Sequence, residues 1–418
     1  MKYDVVIANG TLFLSYGEMG KRDIGVKDGR IVAVEDRLEK SDADIVINAS
    51  DKVVVPGFVD SHIHMDKAFS ADADCCCGLL DACNHSKQEL TAYYQGWSSE
   101  DIISDMMENI EKVVQQCIVN GTSAVRTNVA VNPVVRTAGL QAVNRIREKY
   151  KEKIDILVTA DCPTGMEKEW EDALRHGWID FIGGYPNLKE DARTHRICYD
   201  DRKLRNAEYI FALSEKYKLP VDLHCDESDE PDFTLFRYIC EQTWRRQMEG
   251  EVTVSHITAL GARGAEEEAV ADAIAWCAKA GVHVTTLTGQ NLFLMPEDRR
   301  GTTRVKQLRD AGVRVAIASD NVRDAFCPFG NYDLMEEALL TAQVHKLGTD
   351  RELLDIMNMI TYFPAASCKL EAYGLLPGCA ANLVILDADY VPEALRSQAK
   401  KSYVMHLGKI VAKNGKIV

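Results

Sequence analysis

Positive charge is in short supply relative to negative in this chain. Its 49 Lys and Arg stand against 64 Asp and Glu, a formal net charge of −15. Nonspecific binding to nucleic acid or to an anionic membrane surface needs basic surface, so both are disfavoured, although a locally basic pocket is not. No apolar run is long enough to span a bilayer. The opening Met1-Lys2-Tyr3-Asp4-Val5-Val6-Ile7 lacks the apolar core of a signal peptide. The 13 cysteines show no paired spacing apart from the cluster Cys75-Cys76-Cys77. That argues against a disulfide framework and for a reducing, cytoplasmic setting. The triplet, with no second CxxC-type pair beside it, is a weak metal or redox signal. Internal repeats, low-complexity segments and a glycine-rich phosphate loop after the first predicted barrel strand are all missing.

What is present is ordinary globular material, 46% hydrophobic and 27% charged over 418 residues. That length allows one large domain and a smaller one. The two ends are β-rich. Tyr3 to Ala8 reads as a strand closed by an Asn9-Gly10 turn, and Asp28-Gly29 joins Asp23–Lys27 to Arg30–Val34 as a hairpin. Strand patterns return at Ala381–Leu386, Tyr403–Leu407 and Lys409–Ala412, with an Asn414-Gly415 turn before the last residues. The middle alternates. Strands are expected at Val53–Val59, Ser123–Val131, Ile154–Ala160, Phe181–Gly184, Val221–His224, Val252–His256, Val282–Leu287 and Val313–Ala318. Helical spacing fills most gaps, as at Glu100–Asn120, Arg205–Tyr217 and Glu266–Ala280. The expectation is an α/β chain: a (β/α)8 TIM-type barrel over residues 56–374, with a small β-sandwich domain built from residues 1–55 and 375–418. An open doubly wound sheet is the competing layout.

The most informative stretch ends the first of these strands, at Asp60-Ser61-His62-Ile63-His64. Side chains two apart on a strand point the same way, so His62 and His64 project together, where a metal could take both. The bland alternative is one core and one surface histidine. The other strand ends weigh against it. His224 ends the fifth strand, His256 the sixth, and Asp320 follows the eighth. In barrels of this kind the C-terminal strand ends carry the chemistry. Neutral imidazoles and one carboxylate hold a divalent metal and leave a position for water. The metal makes hydroxide accessible near neutral pH, and a carboxyl group must then move protons to the leaving group. Glu227, just past His224, is the candidate for that work; its alternative is a solvated acid among Asp226, Asp229, Glu230 and Asp232.

This order of ligands resembles the amidohydrolase superfamily, over essentially the whole chain. Gly57-Phe58-Val59-Asp60-Ser61-His62-Ile63-His64 and Leu376-Pro377-Gly378-Cys379-Ala380-Ala381-Asn382-Leu383-Val384-Ile385-Leu386 both fit its pattern. Within it, His224-Cys225-Asp226-Glu227, Val254-Ser255-His256-Ile257-Thr258-Ala259 and Arg299-Arg300-Gly301-Thr302-Thr303-Arg304-Val305-Lys306 resemble the cytosine deaminase branch. Met65-Asp66-Lys67, Ala318–Asp324 and Pro328-Phe329-Gly330-Asn331 look more like N-isopropylammelide isopropylaminohydrolases. The resemblance implies that His62, His64, His224 and Asp320 bind one divalent ion, zinc or iron. It implies that Asp320 accepts a proton from the attacking water, that Glu227 protonates the ring nitrogen, and that His256 orients the nucleophile or polarises the developing tetrahedral centre. Phe181-Ile182-Gly183-Gly184-Tyr185-Pro186 lacks the lysine or glutamate of binuclear relatives, which favours a mononuclear site.

Two departures bear on the substrate. Where cytosine deaminases carry a glutamine after the third strand, this chain has Thr159-Ala160-Asp161-Cys162-Pro163, and Asn321 stands in place of their second aspartate. Buried polar contacts discriminate steeply, so cytosine itself is not expected. Asp161, Cys162, Asn321 and Lys67 are the expected substrate contacts; loop structure or a rim salt bridge would account for them equally. The reading is a metal-dependent aminohydrolase for a small cytosine-like, triazine-like or pterin-like heterocycle. Its alternatives are a ring-opening cyclic-amide hydrolase and a non-catalytic relative. A homo-oligomer is allowed, with nothing in the apolar pattern to say which faces would pair.

Overall fold

The computed structural model describes residues 2–15, 17–70, 78–161, 165–295 and 301–418. Eight parallel strands form its centre: β1 (Phe58–Ile63), β2 (Thr122–Val129), β3 (Asp155–Asp161), β4 (Phe181–Gly184), β5 (Val221–Cys225), β6 (Val252–His256), β7 (His283–Thr286) and β8 (Val315–Ile317). Each pairs with the next in order. Just past the end of β8, Asp320 bridges to Ile63 of β1, and its N–H donates to the His62 carbonyl at 2.9 Å. The barrel is thus nearly closed, and the bonds that close it lie at the paired histidines.

Helices cover the outside. In the helix Ser99–Val119 the apolar residues Ile103, Met106, Ile110, Val113, Val114 and Cys117 recur at helical spacing and are all buried. Ser98 caps it by accepting the Asp101 N–H. The helical patterns expected at Arg205–Tyr217 and Glu266–Ala280 are the helices Lys203–Tyr217 and Glu267–Ala280.

Nine strands from the two chain ends form one further sheet. The Asp28-Gly29 hairpin is there, with Lys27 opposite Arg30. Asn9-Gly10 does not turn the chain. The first strand runs from Tyr3 to Ser15, and Asn9 (φ 64°) is a bulge within it, its N–H donating to Asp23 Oδ1 at 2.7 Å. A polar pair with αL tendency serves a bulge as well as a turn, which is why the pattern misleads.

The valine run at residue 53 is two strands. Val53–Pro56 lies in the end sheet, antiparallel to Leu383–Leu386, and β1 begins after Gly57. A Cβ at Gly57 would collide with the Ser123 side chain, so the crossing from one sheet to the other is made at glycine. The unbroken apolar character follows from burial on both faces. Val53 and Val55 join the main barrel core, whereas Val54 joins a second core with Ile7, Leu12, Ile24 and Met405.

Candidate active site

Four histidines and two acids, Asp320 and Glu227, meet at the C-terminal ends of β1, β5, β6 and β8. Nε2 of His64 lies 3.2 Å from Nε2 of His224. Asp320 Oδ1 is 3.7 Å from Nε2 of His62 and 3.5 Å from Nε2 of His64. Asp320 Oδ2 is 3.8 Å from Nε2 of His256. Ligand atoms of His62, His64 and Asp320 lie within 4.8 Å of one another, and so do those of His62, His224 and His256. The four expected ligands therefore converge, and His256 stands as near to the centre as they do.

Strain accompanies the convergence. His256 (φ 69°) and Asp320 (φ 62°) both sit in the left-handed region at the point where a strand ends. Such backbone costs on the order of 1–3 kcal/mol per residue and persists where the surroundings fix it. The rings are also held from behind. Nδ1 of His62 is engaged by Ser255 Oγ at 2.9 Å and by the Asn128 amide at 3.2 Å, which leaves Nε2 aimed at the cluster. Tyr185 stacks on His224 with centroids 3.7 Å apart. The Asn291 amide reaches Nδ1 of His256 at 3.0 Å.

Burial sets the charge states. It holds His62, His64 and His224 well below the usual imidazole range, helped by their neighbours and by Lys67. His256 is lowered to about 3 by burial. Burial, then repulsion from Glu227 and Asp324, pushes Asp320 well above its usual value. Burial raises Glu227 to about 8, against an opposing effect of Lys67. Its Oε1 is 3.3 Å from Nδ1 of His256, with no hydrogen-bond partner among the described residues.

These groups fit a metal ion. His62 Nε2 and both Asp320 oxygens are buried without a hydrogen-bond partner among the described residues. Buried polar atoms are otherwise nearly always satisfied. Neutral imidazole lone pairs turned toward one another and toward an unpaired carboxyl are a donor set that a divalent cation satisfies.

The expected substrate contacts divide. Lys67 follows His64 in a short 3₁₀ turn, its Nζ 5.4 Å above the Phe326 ring. Burial pulls its pKa down, but Asp66, Asp161 and Asp324 outweigh it and hold it above the usual value. Asp161 ends β3, its buried Oδ1 has no partner among the described residues, and burial raises it to about 7. Asn321 is committed within the protein, donating to Asp324 and accepting from Gln290. Cys162, the Cys75-Cys76-Cys77 cluster and Arg299-Arg300 lie outside the described residues.

Sequence reasoning missed Ser255, Asn128, Tyr185, Asn291 and Asp60. Asp60 accepts the N–H of Ser319, beside Asp320, at 3.2 Å. A signal existed for some of them: the polar run Arg126-Thr127-Asn128 interrupts a strand that is buried throughout.

The family model described as "Amidohydrolase family" matches residues 168–412, and the chain belongs to that family of hydrolases acting on carbon–nitrogen bonds other than peptide bonds. Among curated proteins it is 29% identical over 426 residues to the N-isopropylammelide isopropyl amidohydrolase of Pseudomonas sp. (strain ADP), covering 100% of this chain and 99% of that one. It is 26% identical to the pterin deaminase of Rhizobium rhizogenes, over 94% of this chain and 88% of the relative. The crystal structure of 5-methylcytosine deaminase from Klebsiella pneumoniae with 5-fluorocytosine superposes with a TM-score of 0.84 at 24% identity, covering 98% and 97% of the two chains. The resemblance read from the sequence, and the barrel with its flanking sheet, are borne out. No helix among the described residues is long and apolar enough to cross a membrane.

Proposed function

We propose that this chain is a mononuclear, metal-dependent aminohydrolase. It releases ammonia or a simple amine from the amidine carbon of a small nitrogen heterocycle, of the triazine, pterin or cytosine type that its relatives' names describe. The observation that carries the reading is Glu227. It is a buried carboxyl whose pKa burial raises to about 8, set against a cluster of neutral imidazoles, and its Oε1 has no hydrogen-bond partner among the described residues. A general acid needs a pKa in that range.

His62, His64, His224 and Asp320 would hold the ion, zinc or iron. When bound, it supplies Lewis acidity and an activated water at neutral pH. Asp320 takes one proton from the attacking water and passes it to the leaving amine as the C–N bond breaks, and Glu227 recovers its own proton from the new hydroxyl as the C=O forms. Glu227 delivers its proton to the ring nitrogen beside the reacting carbon, which makes that carbon electrophilic. His256 faces both carboxyl groups and orients the nucleophile. Lys67 and Asp161 offer a donor and an unpartnered oxygen to the ring edge. The separate end-sheet core supports a division into two domains, residues 1–55 with 375–418 and residues 56–374. No disulfide joins the described cysteines, which supports a cytoplasmic setting.

The test is amine release by the metal-loaded protein across cytosine, 5-substituted cytosines, isocytosine, creatinine, amino- and N-alkylaminotriazines and pterins. Turnover of at least one ring is expected. Silence across the panel with about one metal per chain would shift the reading to ring opening; silence with no metal bound would make the chain a non-catalytic relative.

A further inference from the structure

Gln290 is one of several buried side chains near the cluster with an oxygen that has no hydrogen-bond partner among the described residues. Gln290 lies in the short helix Thr288–Leu294 after β7 and is 4% exposed. Its neighbour Asn291 reaches His256. Its Nε2 donates to Asn321 Oδ1 at 3.4 Å, and Asn321 Nδ2 donates to Asp324 Oδ2. Asp324 Oδ1 accepts the N–H groups of Phe326 at 2.9 Å and Cys327 at 3.3 Å. Gln290 Oε1 has no partner among the described residues.

The relay has one polarity. An ionised carboxylate only accepts, so Asn321 must turn its NH₂ toward Asp324 and its carbonyl toward Gln290. Gln290 must then turn its own NH₂ toward Asn321. What remains at the free end is an acceptor whose orientation is set by a charge two residues along the chain of hydrogen bonds. A buried acceptor left unpaired is costly, and an arriving donor would satisfy it. The relay passes through Asn321, the residue next to Asp320. Glu227 Oε1, Asp161 Oδ1 and the Asp320 oxygens are unpartnered at the same end of the barrel.

We infer that Gln290 is a specificity-determining residue whose Oε1 accepts an N–H of the substrate ring, with Asn321 and Asp324 as positioning residues that fix its polarity. This rests on the heterocycle reading above and narrows it. The preferred substrates carry a ring N–H or amino group on the edge that meets β7 and β8, and rings with only acceptors there are rejected.

Binding tests this without turnover. Uracil and cyanuric acid are the rings left when an amino group is replaced by oxygen, and 1,3-dimethyluracil and trimethyl isocyanurate are their N–H-free counterparts. Calorimetric titration of the metal-loaded wild type should show at least one N–H ring binding about tenfold or more tighter than its methylated form. Gln290→Met should erase most of that ratio with metal content unchanged. Asp324→Asn, close in shape, should also erase it, because an amide can donate as well as accept. A ratio preserved in both variants overturns the inference, and so does a wild type that binds none of the four rings. Amine release from the panel by that same wild type would leave the aminohydrolase reading standing, so the two failures are distinguishable.

Discussion

Two layers of buried polar groups lie next to each other inside the barrel, and they are finished differently. Arg126 and Asp222 form an ion pair at 3.0 Å, both fully buried. The guanidinium also donates to the carbonyls of Ser61 and Ser367 at 3.0 Å each and lies over the Phe181 ring, while Thr159 donates to Asp222 at 3.1 Å. Two residues further along β5, on the same face, is His224; next to Ser61 on β1 is His62. These are buried as deeply, yet His62 Nε2 and both oxygens of the facing Asp320 have neither a hydrogen-bond partner among the described residues nor an ion pair as close as that of Arg126 and Asp222. Burial alone therefore does not mark a site. The lower layer neutralises itself and closes the barrel floor. The upper layer keeps atoms unmatched among the described residues, in a cluster that could hold a metal ion.

Breaking the lower layer should have the largest effect. Arg126→Met strands a buried carboxylate and is expected to cost about 3–5 kcal/mol in chemical denaturation. Arg126→Met with Asp222→Leu should recover most of that loss. A single variant as stable as the wild type would show that the pair does not hold the floor. In the upper layer, Glu227→Gln should keep the metal and lose turnover by about two orders of magnitude or more. Near-normal turnover in the metal-replete variant would remove Glu227 from the mechanism.

His224→Ala is expected to lose the metal, read by elemental analysis. Chelation should lower the melting temperature of the wild type but not of this variant. An ion at a hundred times its Kd contributes roughly 2.7 kcal/mol. Stoichiometric metal in His224→Ala would mean that the ligand set is misassigned. Ser255→Ala, which only loosens His62 from behind, should weaken metal affinity by about tenfold, measured by competition with a chromogenic chelator. An unchanged affinity would make Ser255 a packing residue.

The upper layer was far more legible in the sequence than the lower. His62, His64, His224, His256 and Asp320 announce themselves because four rare histidines and one acid each stand at the end of an apolar strand, and the barrel gives all strand ends one address. Arg126 and Asp222 sit in mid-strand, where a charge weakens the strand pattern instead of adding to it. Gln290 and Asn291 lie in a short helix whose direction only the assembled barrel defines. The valine run was read as one strand because two sheets bury it equally, and only the close approach of Ser123 at Gly57 separates them.

That crossing at Gly57 also sets a timetable for synthesis. Val53–Pro56 pairs with residues 11 and 12 on one side, but its other neighbour is Leu383–Leu386. At ~5–20 residues per second a ribosome needs on the order of tens of seconds to reach that partner. Throughout that interval the strand tethered to His62 and His64 has one bare, apolar edge, the kind on which nascent chains misassociate. The barrel's first strand emerges more than 300 residues before the strand that completes the sheet anchoring it. The histidine-bearing end of the barrel thus depends on Leu383–Leu386 being delivered before a neighbouring chain takes its place.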